Sequence, residues 1–103
     1  MRPYYSEFVR HCLRYYIKTL EDGHGGHPVF GSDAERENWK ACYHATKNMS
    51  PKNLEIIKEI YRPGDTIPDK IYNLSNALKV PQVDISHMIG KLEREVAKRR
   101  GLI

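Results

Sequence analysis

Gln82, Ser86 and His87 fall close together in the chain, and Lys91, Arg94 and Lys98 follow at spacings of four, three and four. Side chains of these types in this order suit recognition of double-stranded DNA. A glutamine amide pairs with adenine through two hydrogen bonds, and an imidazole donates to a guanine edge or a phosphate. Lysine and arginine neutralise phosphates, and on a helix these three share one face. Ser86 can reach a base edge, and Val83 offers methyl groups to the methyl of thymine. Lys79, just upstream, is one further candidate contact to DNA. A basic helix face is also often only a solvated surface, so residue types alone leave both readings open.

The elements that would position these residues are legible around them. Ile71, Leu74 and Leu78 recur once per turn and predict the inner face of a short helix. Ile85, Met88 and Ile89 predict the inner face of a second helix running from about Pro81 to Arg100. Val80 is the apolar plug between them, and Ser75 is small where the two helices should cross. Two short helices locked in this way form a helix-turn-helix, which points the N-terminal turns of its second helix into the major groove.

From Ser50 to Arg100 the chain resembles region 4 of the sigma-70 family, the module with which those factors read promoters. The matching residues are Ser50 to Tyr61, the Pro63-Gly64-Asp65 break, Ile71 to Leu78, and Val80 through Lys91 to Arg100. The resemblance implies a helix, a loop and a helix-turn-helix that ends in a long basic helix. It further implies a sequence-specific transcriptional regulator that binds double-stranded DNA, with RNA polymerase as a possible partner. Similar modules occur in small phage-encoded regulators, and the length of this chain suits that group, which implies a phage or prophage origin. Two positions differ from the family pattern. Lys79 stands where the turn usually has glycine, so either its side-chain-bearing backbone is left-handed, at a cost of about 1 kcal/mol, or the turn differs in shape. Asp84 introduces an acid into a stretch that is usually rich in arginine.

A rival reading keeps the fold and changes the partner. Ile85, Met88, Ile89, Leu92 and Val96 continue as a seam that could pair with a second copy, making the chain a homodimer. It would then be a protein-interaction or phage-assembly adaptor, similar to a terminase small subunit. A polar exposed face over residues 82–91 favours DNA, and an apolar, paired face favours the adaptor. A single module of this size covers little DNA, so a second copy or RNA polymerase would be needed for tight binding.

The rest of the chain predicts an all-α protein of five helices, with no stretch of period-two alternation. Its 103 residues suit one modest core. The reading divides it into residues 1–31, a helix and a Gly/His loop, and residues 32–103, the sigma region 4-like part. The first helix, about residues 3–20, has an apolar stripe of Tyr5, Phe8, Val9, Cys12, Tyr16 and Leu20, with Leu13 beside it. Arg10, Arg14 and Lys18 form a second face, either solvated or a further contact surface. Ser32 and Glu35 predict a capping box opening the next helix, in which the carboxylate returns to the Ser32 amide. That helix turns Trp39, Cys42, Tyr43 and Thr46 inward, and its tryptophan reads as core. Ser50 and Pro51 start the third helix, with Leu54, Ile57, Ile60 and Tyr61 inward, and Asp65 or Thr66 caps the fourth.

Charge is uneven along the chain: +3 over residues 1–20, −3 over residues 21–69 and +4 over residues 70–103. The C-terminal excess coincides with the candidate recognition helix, which suits phosphate contact. No run is apolar enough to cross a bilayer and no signal-peptide pattern is present, so a cytoplasmic protein without membrane contact is expected. Cys12 and Cys42 lack ligand spacing and are expected reduced and buried. His24 and His27 lie in a Gly-rich stretch without the geometry of a metal site. No catalytic constellation stands out, so neither an enzyme nor a cofactor is expected.

Overall fold

Ser32, Ser50 and Thr66 each open a helix by the same device. Each has extended backbone and accepts a hydrogen bond from the amide three residues on: Glu35 at 3.2 Å, Asn53 at 3.2 Å and Asp69 at 3.3 Å. Thr66, not Asp65, is therefore the cap of the fourth helix. The Glu35 carboxylate returns to the amide of Gly31 at 2.7 Å, one residue earlier than a standard capping box predicts. In the computed structural model, which describes residues 3–22 and 30–103, the helices are α1 Ser6–Glu21, α2 Asp33–Thr46, α3 Pro51–Tyr61, α4 Ile67–Leu78 and α5 Gln82–Arg99. There is no strand among the described residues. His24, His27 and most of the Gly-rich stretch lie outside them.

One core takes side chains from all five helices. Val9, Cys12, Leu13, Tyr16 and Ile17 of α1 meet Ala41 and Cys42 of α2, Ile56, Ile57, Ile60 and Tyr61 of α3, and Ile67 at the start of α4. Ile85, Ile89, Leu92, Val96 and Ala97 close it from α5. α5 packs against α1, α2 and α4, and α1 against α2, α3 and α5, so these two helices share the middle of the domain. Leu13 and Ile17 shift the centre of the α1 stripe by a residue, so Phe8 and Leu20 end at its exposed edges. Tyr43 likewise lies outward, its ring stacked on Trp39 at 5.4 Å. Trp39, read as core, is only half-buried and packs against the core's edge, and its indole N–H donates to Thr19 at 2.8 Å, tying α2 to α1.

The two cysteines are free and buried. Burial pushes the Cys12 thiol up to about 11 and raises that of Cys42 still further, so both behave as small apolar groups. No helix among the described residues is long and apolar enough to cross a membrane.

Candidate nucleic-acid interface

Three residues, Lys79, Val80 and Pro81, connect α4 to α5. Of the two outcomes open to Lys79, the left-handed backbone is the one found, with φ 59° and ψ 39°. The amides of Lys79 and Val80 both donate to the carbonyl of Ser75, which closes the end of α4. The Ser75 hydroxyl then donates to the carbonyl of Val80 at 2.5 Å. Ser75 thus acts as a tie across the turn. Val80 packs against the core with Ile71, Leu74 and Met88. Leu78 does not join them: it is 41% exposed, because the chain turns away one residue after it.

Core packing fixes which side of α5 faces outward. With Ile85, Ile89, Leu92 and Val96 buried, the opposite side carries Val83, His87, Lys91, Arg94 and Lys98. At about 100° per residue these five fall within an arc of about 80°, and they run along about 22 Å of helix. All five are exposed, Val83 at 55%. Gln82 and Ser86 are exposed too but lie around the helix, on the side next to α4; Ser86 lines a groove there with Pro68 and Ile71. Asp84 lines a different groove, beside Lys52 and Asn53 of α3. Lys79 is exposed at the turn, at the N-terminal end of the same helix.

The ion pairs divide the basic residues into two groups. Arg99 is held by Glu95 at 3.0 Å, Arg62 by Glu21 at 2.7 Å and by Glu59, Lys58 by Glu55 at 3.3 Å, and Arg36 by Asp33 at 3.5 Å. Arg100 donates to the Asn38 amide oxygen at 2.7 Å. Lys79, Lys91, Arg94 and Lys98 have no acidic partner among the described residues, and neither do Arg14, Lys18, Lys40, Lys47 and Lys52. What sets the first four apart is that they lie along one helix and its leading turn. Their positive field is left uncancelled, which is the arrangement that attracts a polyanion.

No family model matches the chain, and neither a curated protein nor a solved structure was found to match it. The chemistry of the surface therefore stands on its own geometry.

Two expectations change once α5 is in place. The seam of Ile85, Ile89, Leu92 and Val96 is consumed by the core of its own chain, so it is not open to a second copy; only Met88 remains partly exposed. The row of Arg10, Arg14 and Lys18 is also broken. Arg10 turns inward, its side chain 15% exposed, and donates from Nε to Glu93 Oε2 at 2.9 Å. Arg14 and Lys18 stay exposed and line a shallow pocket with His11, Tyr15 and Arg62.

Glu93 is the residue that reading the sequence missed. It is buried on the core side of α5, and the Tyr61 hydroxyl donates to its Oε2 at 2.6 Å. Burial first, and then the negative charge of Glu93, raise the Tyr61 hydroxyl well above its ordinary range, so the phenol remains a donor. The signal was present in the spacing: Glu93 lies four residues after Ile89 and four before Ala97, on the apolar stripe itself.

Proposed function

We propose that the chain is a sequence-specific, double-stranded DNA-binding transcriptional regulator in which α4 and α5 act as a helix-turn-helix. The observation that carries this reading is the row of uncancelled cations on the outward face of α5, beside a three-residue turn. In this reading Lys79, Lys91, Arg94 and Lys98 neutralise phosphates and set the depth of α5 in the major groove. His87 reaches base edges from the centre of the face and Val83 from its edge, and Gln82 and Ser86 read from its α4 flank. RNA polymerase or a second copy, meeting the module outside the α5 seam, would supply the contact area that one small module lacks. An adaptor would need an apolar outer face on α5, and Val83 alone is apolar there.

The test is binding of fluorescent duplexes across a salt series. Wild type is expected to bind with a log–log salt slope that drops by about 0.9 for each phosphate contact removed. Lys91→Ala, Arg94→Ala and Lys98→Ala combined should lower the slope by about 3 on any sequence. An unchanged slope removes this face from the interface. Absence of binding to every duplex at about 50 mM salt, where phosphate contacts are strong, would favour the adaptor instead.

A further inference from the structure

A second groove, of about 480 Å³, opens where the start of α1 approaches the α4–α5 pair. That volume is within the range of small-molecule sites. Ile67 and Ile71 of α4 and Ile89 of α5 give it apolar walls. Ser6 of α1 lines it as well; this residue is 2% exposed, and its hydroxyl is the one buried side-chain polar atom among the described residues without a hydrogen-bond partner. Native interiors seldom leave such a group unsatisfied.

Arg10 and Glu93 stand in the same groove, and neither is exhausted by their mutual bond. Arg10 donates only through Nε, and Glu93 accepts only at Oε2, from Arg10 and Tyr61. Among the described residues, the two Nη groups of Arg10 donate to no acceptor and Oε1 of Glu93 accepts from no donor. The groove therefore presents donors, an acceptor and a hydroxyl able to act as either, around charges that cancel. An anion would meet the carboxylate and a cation the guanidinium. A neutral amide, with one carbonyl and one N–H, matches both.

Gly90 completes the site. Glycine inside a helix is less favourable than alanine, and an added Cβ at Gly90 would meet nothing within 4 Å. The packing of the chain does not call for a glycine there, and Gly90 lines the groove's rim, where a long side chain has open space to occupy.

We propose that this groove binds a small neutral molecule bearing a secondary amide and an apolar chain. The groove lies on the α4 flank of α5 and shares Ser86 with the proposed DNA-reading face, but it is tested by direct binding of a small molecule in the absence of DNA, so the two readings can fail separately. The probe is N-hexylacetamide, titrated into the full isotopically labelled chain and followed by amide NMR shifts. Shifts should centre on Ser6, Arg10, Ile71 and Gly90, with a dissociation constant of about 1–10 mM, as the usual affinity per atom of such ligands gives. Ser6→Ala should weaken binding about fivefold through one lost hydrogen bond while leaving the free protein at least as stable, because an unsatisfied hydroxyl is removed. Gly90→Leu, whose side chain enters the groove, should abolish the shifts while the helical circular dichroism is kept. Hexanoate and hexylammonium should each bind about tenfold more weakly than the amide. Shifts that persist equally in Gly90→Leu, equal affinity for the charged probes, or no shifts at saturating amide would each overturn the proposal.

Discussion

Replacing Glu93 by glutamine withdraws one negative charge from the interior and changes almost nothing in shape. In the native chain Oε2 accepts from the Tyr61 hydroxyl at 2.6 Å and from Arg10 Nε at 2.9 Å. Hydrogen bonds to a charged group contribute about 1.5–3 kcal/mol each, and neutral ones about 0.5–1.5 kcal/mol. A glutamine oxygen can still accept from both donors, so the expected loss is about 1 kcal/mol as the Tyr61 bond becomes neutral and about 1 kcal/mol more as the Arg10 guanidinium loses its counter-charge, about 2 kcal/mol in all. Glu93→Ala removes the acceptor altogether and leaves a mostly buried guanidinium without its partner, for about 3–5 kcal/mol. In a domain of this size the glutamine change should lower Tm by about 8–16 °C. Urea denaturation followed by circular dichroism measures the free energies directly. The cycle of Arg10→Met, Glu93→Met and their combination isolates the pair: the double variant should lose less than the two singles together, by about 1–3 kcal/mol. If Glu93→Gln stays within about 0.5 kcal/mol of wild type, the level of an ordinary surface substitution, and the cycle is additive, the buried network does not hold α5 to α1 and α3.

Three further outcomes can be checked with simple variants. Lys79→Gly should raise stability by up to about 1 kcal/mol by relieving the left-handed backbone, and Lys79→Val should lower it, because a branched side chain tolerates that conformation least; equal stabilities would mean the turn is not held at this φ. Gln82→Ala and His87→Ala should each cost about 1–3 kcal/mol on a selected duplex and far less on a scrambled one, with equal losses on both reducing them to backbone contacts. Stability should fall in alkaline solution: the Cys12 thiol is raised from 9.0 to about 11 in the folded chain, so its contribution is complete below pH 9 and is lost as the pH climbs toward 11. Cys12→Ser should reduce that fall in an alkaline denaturation series, and an unchanged pH profile would assign it to other groups.

The helices were legible because their ends are written in short-range chemistry. Ser50 with Pro51, Thr66, and the Ser32–Glu35 pair act within four residues, so no tertiary knowledge was needed to place them. Lys79 was legible only through the resemblance, which puts a glycine at its position; of the two outcomes that allowed, the left-handed side chain is the one found. What could not be read was the phase of each apolar stripe. Phe8, Tyr43 and Leu78 are apolar and periodic yet exposed, since the neighbour that would cover them lies a fraction of a turn away. The same ambiguity hid Glu93 and Arg10, two charged residues 83 positions apart that only the meeting of α1 with α5 brings together. It also separated Gln82 and Ser86 from the row of Val83, His87, Lys91, Arg94 and Lys98, although all seven are exposed.

The central place of α5 in the core also shapes how the chain is made. α1 is synthesised first, yet the bonds that fasten its face, from Arg10 to Glu93 and from the Tyr4 hydroxyl to the carbonyl of Leu102, wait for residues at the far end of the sequence. At about 5–20 residues per second, the interval between finishing α1 and finishing α5 is about 4–16 s. For that time Val9, Cys12, Leu13 and Ile17 have only α2 and α3 to cover them. A nascent chain in that state would leave part of this apolar stripe uncovered, and the helix that faces outward with cations is also the one that completes its cover.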